Sequence, residues 1–313
     1  MNLKINCHLM PWEVDHGLIL AHKLKESIYY IDPKDTIYVN TTLNLSSHII
    51  NWEESKLPKE FFIEKYDIIN KLLGNKFVIT SNVYDGDKLY GCLDCQRESK
   101  QANIDYYMSI CPDVDFPPTL IYYMLESAKQ IKNKYFFITP QIAKCWDSSW
   151  DFMVNKNFIN VPYDKYTLQN SHEINHIMQQ EQEHVKLMPI DIFKFSGWCD
   201  LYSKEFHEKI VPILPEWNGY GPWDLYSMYV CNICKQYNLD IKQYILENQV
   251  VWFYDSGDLK GPELHLNDGV MKRAYKNFIK TNINKNEQRN FIEQNLNFYI
   301  NKWIQYAKDN NII

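Results

Sequence analysis

The first 140 residues alternate between the hydrophobic spacing of strands and that of helices. Residues 3–9 alternate apolar and polar side chains, as a strand does, whereas residues 12–27, after Pro11, place Leu20, Ala21 and Leu24 on one helical face. The same patterns predict further strands over residues 36–41, 76–80, 105–111 and 134–139 and helices over residues 61–73, 89–102 and 119–131. This order predicts an α/β fold with helices flanking a mostly parallel sheet.

The second half of the chain is less regular. Residues 140–193 lack a clear period, which is typical of binding loops. Further on, the pattern predicts strands over residues 194–202 and 250–254 and helices over residues 203–211, capped by Ser203, and 225–237. Residues 284–310 predict an amphipathic C-terminal helix, whose core-facing stripe consists of Phe291, Leu296, Ile300, Trp303 and Ala307.

Composition narrows the class of protein. The 313 residues are 45% hydrophobic and 15% aromatic, which excludes a disordered chain. A net charge of -6 disfavours duplex DNA as a partner, because DNA binding depends largely on basic contacts to phosphates. Residues 1–10 are too short for a signal peptide and no later window is apolar enough to span a bilayer, so we expect a soluble, cytoplasmic protein.

The cysteines do not form a dense framework. All 8 are spread along the chain, which favours reduced thiols. Two CxxC pairs, Cys92/Cys95 and Cys231/Cys234, lie far apart in sequence and inside stretches that predict helices, which disfavours a zinc ribbon. Neither a GxGxxG segment nor a P-loop occurs, so the usual dinucleotide and ATP cradles are missing from the sequence.

Two carboxylates follow a predicted strand that is apolar enough to be central in the sheet. Asp113 and Asp115 come directly after residues 105–111, and ligands of parallel sheets bind beyond the carboxyl ends of the strands. Hard oxygen ligands of this kind suit Mg²⁺ or Mn²⁺, which keeps water or substrate phosphate in its other positions. An Asp-x-Asp sequence by itself more often marks a solvated turn. The prediction of a metal site therefore depends on the position of these residues directly after the strand.

Glycines and aromatic residues cluster in two later segments, residues 195–202 and 217–224. Gly197, Gly219 and Gly221 allow close approach of a ligand, and neighbouring rings offer flat faces for sugars. Asp224, where a helix is predicted to begin, can act as a general base if it faces the cleft. The alternative is that Asp224 caps its helix while the aromatic residues fill the core.

These motifs in this order resemble the glycosyltransferase A fold, a Rossmann-like architecture. The resemblance covers roughly residues 1–255 and implies that Asp113-Val114-Asp115 binds Mn²⁺ or Mg²⁺ bridging the diphosphate of a nucleotide-sugar donor. Residues 219–224 are similar to the Gly-Trp-Gly-x-Glu-Asp motif of inverting galactosyltransferase-like enzymes, so Asp224 inherits the role of base. Trp223 stands where that motif has Glu, and acceptor identity therefore does not carry over.

The resemblance implies further site residues. It implies that Arg97 is a basic contact to the donor and that His265 is a third metal ligand. It also implies that the nucleoside binds near His8, Pro11 and Trp12. A surface position for His265 and a core position for Trp12 stay open. The implied acceptor-binding residues are Gly197, Trp198, Tyr220, Gly221 and Trp223.

The implied organisation is a catalytic domain over residues 1–255 and a helical extension over residues 256–313 packed on it. Residues 1–140 would form the donor-binding half and residues 190–255 the acceptor-binding half. The function implied is a metal-dependent, hexosyltransferase-like enzyme that uses a UDP-sugar and an acceptor glycan or other hydroxyl compound. Hydroxymethylated DNA is a disfavoured acceptor.

Two other functions are compatible with the sequence. A sugar-phosphate nucleotidyltransferase also needs carboxylates and a parallel sheet, but its Gly-rich, basic N-terminal signature does not occur here. A carbohydrate-binding protein without turnover would use the same Trp and Tyr surfaces. Release of pyrophosphate would identify a nucleotidyltransferase. Glycan binding without donor binding would identify a carbohydrate-binding protein.

Overall fold

The computed structural model describes residues 1–48, 50–53, 57–88, 90–98, 101, 103–142, 186–190, 193, 199–212, 214, 223–253 and 296–313. Nine strands occur in this part of the chain: β1 (Asn2–Leu9), β2 (Thr36–Asn44), β3 (Val78–Tyr84), β4 (Tyr106–Ile110), β5 (Val114–Asp115), β6 (Tyr135–Ile142), β7 (Lys186–Ile190), β8 (Cys199–Ser203) and β9 (Ile241–Phe253). The helices are α1 (Val14–Ser27), α2 (Lys59–Gly74), α3 (Cys92–Glu98), α4 (Leu120–Gln130), α5 (Trp223–Gln236) and α6 (Leu296–Asp309). A 3₁₀ turn spans Pro11–Glu13 and a π-helical turn spans Phe206–Ile210.

All of these strands belong to one sheet with the order β3-β2-β1-β4-β8-β6-β9-β5, and β7 pairs with β9. The ladders β1–β2, β2–β3, β1–β4 and β6–β9 are parallel, whereas β8 runs antiparallel to both β4 and β6. The strands β1, β2, β3, β4, β6 and β9 therefore run in one direction. This confirms the predicted α/β class with a mostly parallel sheet flanked by helices.

The two faces of β1 differ in chemistry. Its odd-numbered residues are apolar and join the core cluster formed with α1, α2 and α4: Leu3, Ile5, Cys7 and Leu9. The even-numbered residues Lys4, Asn6 and His8 lie on the opposite face, because side chains alternate along a strand. On that face Asn40 of β2 donates from Nδ2 to Asn6 Oδ1 (3.3 Å) and lies 3.6 Å from Cys95 Sγ of α3. The sheet thus separates an apolar layer from a polar one.

A second hydrophobic core covers the other half of the sheet face that carries Lys4, Asn6 and His8. It combines side chains of β4, β6 and β8 with the π-helical turn, α5 and α6: Tyr107, Phe137, Tyr202, Phe206, Val230, Cys231 and Trp303. Tyr107 stacks on His207 at a centroid distance of 4.2 Å and donates its hydroxyl to Glu208 (2.7 Å). The π-helical turn is therefore held against the middle of the sheet.

The C-terminal helix α6 attaches through the predicted stripe. Trp303 and Ala307 are buried, and the indole Nε1 of Trp303 donates to the Ile210 carbonyl at 2.8 Å. Ile300 is half-buried against the same cluster. Residues 284–295 of the predicted helix, including Phe291, lie outside the described residues.

Three predictions from the sequence need correction. The strand predicted at residues 250–254 begins much earlier, since β9 starts at Ile241. Residues 186–190, inside the segment predicted as loops, form β7, although Pro189 removes one hydrogen-bond donor from it. The helix predicted over residues 203–211 is a π-helical turn over Phe206–Ile210, and Ser203, the last residue of β8, accepts from the Phe206 backbone N–H (3.2 Å) as the predicted cap would.

We expect Trp303→Ala to lower the free energy of unfolding by about 3–5 kcal/mol, because the side chain is 1% exposed and fills the second core. Trp303→Phe keeps a ring but loses the bond to the Ile210 carbonyl, so its expected cost is about 1–2 kcal/mol. Phe298→Ala is the matched control in the same helix, since Phe298 is 51% exposed and its loss should cost less than about 1 kcal/mol. Urea denaturation measures all three. Equal losses for the Trp303→Ala and Phe298→Ala proteins would contradict the packing of α6.

Candidate functional site

The carboxyl ends of β2, β1 and β4 meet at one edge of the sheet. Register pairs Leu9 with Leu43 and Asn6 with Ser109, so the segments that follow these strands lie side by side. Ligands of parallel sheets bind at this edge. The structure therefore brings the predicted donor region, His8 to Trp12, next to the segment that carries Asp113.

His8 belongs to a fixed hydrogen-bond network at this edge. The backbone N–H of Ser46 donates to Asn44 Oδ1 (3.0 Å), which directs Asn44 Nδ2 toward the Tyr90 carbonyl (2.7 Å) and His8 Nε2 (3.2 Å). Since an amide nitrogen donates, His8 Nε2 accepts and its ring carries the proton on Nδ1. Asn44 is completely buried, so this network orients the imidazole of His8.

An aromatic pair borders the same network. The rings of Tyr84 and Tyr90 stack with centroids 4.1 Å apart, and the His8 ring lies 6.2 Å from that of Tyr90. Tyr90 donates its hydroxyl to Glu98 (2.7 Å), and burial raises its pKa well above the ordinary value. Pro11 is buried and Trp12 is half-buried, with Trp12 packed against the apolar core cluster. Trp12 therefore contributes to the core at the place predicted for the nucleoside.

Asp113 and Asp115 have different surroundings. Burial raises the pKa of the Cys7 and Cys111 thiols well above the ordinary value, and the carboxylates of Asp113 and Glu13 raise both further. Asp113 is 9% exposed. Asp115 is completely buried in β5, its Oδ1 accepts from the Phe116 N–H (2.8 Å), and the same oxygen is 3.2 Å from Lys23 Nζ of α1. Val114 between them is buried and pairs with Phe253 of β9.

Arg97 lies in the last turn of α3. Its Nη1 donates to Asp94 (3.0 Å) and its Nη2 to the Leu214 carbonyl (3.1 Å), while Asp94 also accepts from the Gly91 N–H (3.0 Å). Both described bonds of Arg97 are thus to protein atoms, and they connect α3 to the segment before α5.

A layer of polar groups lies under α3. Gln96 donates to Ser109 of β4 (3.2 Å), and Cys95 Sγ donates to Thr42 of β2 (3.5 Å). Burial raises the pKa of the Cys95 thiol to about 11 and lowers that of the Lys4 ammonium below its ordinary value. Asp200 of β8 pairs with Ser109 in register, is completely buried and accepts from the Tyr202 hydroxyl (3.2 Å).

Several predicted site residues lie outside the described residues: Gly197, Trp198, Tyr220, Gly221 and His265. Trp223 and Asp224 begin α5, in agreement with the predicted helix start, but their side chains belong to the same undescribed set. Within the described ranges, no three His, Cys, Asp or Glu side chains are grouped so as to hold a metal ion. A divalent ion at Asp113 would therefore need ligands beyond the described side chains, for example oxygens of a bound substrate or of water.

Sequence reasoning missed Asn44 and Lys23. Lys23 was detectable, because it falls on the buried stripe of α1 with His16, Leu20 and Ser27, and a buried lysine requires an opposite charge. Asn44 carried no comparable signal. Its role depends on β2 extending past residue 41, the predicted end of the strand.

The sequence matches no protein-family model and no curated protein sequence. Among solved structures, GalNAc-T7 with UDP, GalNAc and Mn²⁺ is similar with a TM-score of 0.51 at 12% identity, over 99% of this chain and 55% of that chain. S. aureus TarS 1–349 gives TM-scores of 0.43 alone and 0.45 with UDP, at 9% and 10% identity, over 92% of this chain and 68% of those chains. The GalNAc-T7 likeness confirms the glycosyltransferase A type of fold, and the chain spans about half the length of that structure.

Buried thiols make stability dependent on pH. An unfolded cysteine releases its proton above about pH 8.5, whereas folded Cys95, with a pKa of about 11, keeps it, so rising pH favours the unfolded state. We expect Cys95 to contribute about 1.4 kcal/mol of lost stability between pH 7.5 and pH 9.5. Urea denaturation at both pH values should show a smaller loss for Cys95→Ala than for the wild type. An identical loss in both proteins would contradict the assignment.

Proposed function

We propose that the protein is a metal-dependent glycosyltransferase that moves a sugar from a nucleotide-diphosphate donor, a UDP-sugar, to an acceptor hydroxyl. The observation that carries the proposal is the polar carboxyl edge of β2, β1 and β4: the network of His8, Asn44 and Tyr90 lies at the ends of β1 and β2, and Asp113 lies in the segment that follows the neighbouring β4. The fold shared with GalNAc-T7, whose structure contains UDP, GalNAc and Mn²⁺, supports the choice of donor.

The donor would bind over residues 8–12 and α3. The imidazole of His8 is held in direction by Asn44, and Pro11 and Trp12 would border the nucleoside from the 3₁₀ turn. Arg97 is the proposed phosphate contact, because a guanidinium binds phosphate oxygens through a planar fork. The backbone of Val114 would line the base of the site.

The cofactor would be Mn²⁺ or Mg²⁺ at Asp113-Val114-Asp115, with His265 as a further candidate ligand. The residues fit a hard cation only in part, since the described chain supplies fewer than three grouped ligands, so the diphosphate would complete the coordination. Once bound, such an ion neutralises charge on the departing diphosphate. The metal ion and the nucleotide would therefore bind to this protein together.

The acceptor would lie between α5 and the Gly-aromatic segments, with Gly197, Trp198, Tyr220, Gly221 and Trp223 as contacts. Asp224, in the first turn of α5, would remove the proton of the acceptor hydroxyl. That oxygen would attack the anomeric carbon as the bond to the nucleoside diphosphate breaks, which inverts the stereochemistry. Residues 1–140 would thus serve the donor, residues 190–255 the acceptor, and residues 256–313 would extend the catalytic domain.

We expect the protein to release UDP from UDP-glucose, UDP-galactose or UDP-GalNAc in the presence of Mn²⁺, with loss of activity in EDTA. Asp113→Asn and Asp224→Asn should each lower kcat/KM by about 10²–10⁴-fold, because one removes a metal ligand and the other the base. Asp240→Asn is the matched control, since Asp240 is exposed and its carboxylate contacts Lys242 (3.1 Å) and Asn133 (2.6 Å), neither of which is a proposed site residue.

Three outcomes would contradict the proposal. Full activity of the Asp224→Asn protein would exclude Asp224 as the general base. Pyrophosphate release from a nucleoside triphosphate and a sugar phosphate would assign a nucleotidyltransferase, and metal-independent glycan binding without donor binding would assign a carbohydrate-binding protein.

A further inference from the structure

Asp113 and Asp115 are two residues apart but lie at different depths relative to the carboxyl edge. Asp113 comes three residues after β4 ends at Ile110, in the turn that the Val114 N–H closes on the Cys111 carbonyl, and this places it at the carboxyl edge of the sheet. Asp115 contacts Lys23, which lies nine residues into α1 from Val14. At 1.5 Å per residue, Lys23 is about 13 Å along the helix axis from Val14.

The direction of α1 shows how far Lys23 lies from the carboxyl edge of the sheet. β1 and β2 are parallel, so α1 must start at the carboxyl edge, after β1, and run back toward the amino edge, where β2 begins. A lysine side chain spans only part of the distance back to the edge. Asp115 therefore points into the layer between the sheet and α1, away from the edge where a donor would bind.

The contacts of Asp115 are those of a structural anchor. The Lys23 and Asp115 side chains are 8% and 0% exposed, and the Phe116 N–H donates to the same carboxylate oxygen that faces Lys23. Paired burial of this kind tolerates replacement of both charges by apolar groups, whereas loss of one partner leaves an uncompensated buried charge. Lys23 thereby connects α1 to the Asp113-Val114-Asp115 turn, and β9 holds that turn from the other side.

We propose that Lys23 is a positioning residue and Asp115 its anchor, so that Asp113 alone of the two aspartates presents its carboxylate to a divalent ion bound to a nucleoside diphosphate. This inference rests on the proposed function for the identity of the ligand. It assigns unequal roles to two residues that the sequence motif treats alike.

The two roles of Asp115 predict opposite effects of Lys23→Met. If Asp115 is the anchor, removing its partner disturbs the turn and weakens binding of Mn²⁺ with UDP. If Asp115 is instead a metal ligand, removing a competing ammonium frees it and binding of the ion becomes tighter. Electron paramagnetic resonance of free Mn²⁺, titrated with protein and UDP, measures the apparent affinity without turnover.

We expect the following from a double-mutant cycle. Lys23→Met and Asp115→Leu each lower Tm by roughly 5–15 °C, and the double variant regains most of that loss. Affinity for Mn²⁺ with UDP falls about threefold or more in Lys23→Met and returns to within about threefold of the wild type in the double variant. Asp113→Asn keeps the wild-type Tm within a few degrees and loses at least about tenfold in affinity.

The matched control is a second ion pair of α1. Lys65 and Asp15 are 2.7 Å apart with side chains 29% and 44% exposed, so Lys65→Met/Asp15→Leu should change Tm by no more than about 2 °C and leave Mn²⁺ affinity unchanged. Tighter Mn²⁺ binding by Lys23→Met, or at least a tenfold loss in a double variant with near-wild-type Tm, would overturn the inference.

The failure of the proposed function has a different signature. A wild-type protein that binds no Mn²⁺ with UDP contradicts the function, while the Tm cycle, which needs no ligand, still decides the anchor. Additive losses of Tm in that cycle would overturn the anchoring role by themselves.

Discussion

The parallel ladders that join β2, β1 and β4 are the constraint on which the site depends. They fix Leu9 beside Leu43 and Asn6 beside Ser109, so that segments distant in sequence end at one edge. A slip of one residue would turn the apolar side chains of β1 to the polar layer, because side chains alternate along a strand. Burial of Leu3, Ile5, Cys7 and Leu9 against α1 and α2 thus fixes the register and, with it, the position of His8.

Regular alternation made part of this architecture predictable. β1, α1 and α4 have clear periods, and the apolar run of β4 indicated its central position. The start of β9 was not predictable in the same way, because buried Gln243 and Gln249 make it look polar. Both find partners across the fold: Gln243 donates to Thr139 (3.3 Å) and Thr119 donates to Gln249 (3.4 Å). Such tertiary pairing leaves no local pattern.

The same holds for the candidate site: features set by the local sequence were predictable, and features set by tertiary packing were not. The carboxylates after β4 were predictable from their place after an apolar strand. Their different depths were not, because depth depends on the direction of α1 and on the pairing of β5 with β9. Asn44 is a further case, since its amide connects the ends of β1 and β2 with the segment before α3. Spacing along the chain identifies candidate groups, and packing decides which of them share one surface.

The proposed function requires that the edge beyond β2, β1 and β4 binds a nucleoside diphosphate together with a divalent ion. The most direct measurement is a crystal structure of the protein with UDP and Mn²⁺, with anomalous diffraction at the manganese edge. We expect an anomalous peak about 2.0–2.4 Å from a carboxylate oxygen of Asp113 and from diphosphate oxygens, with the uridine between His8 and Trp12. Manganese and UDP bound elsewhere, or no manganese in the presence of bound UDP, would contradict it.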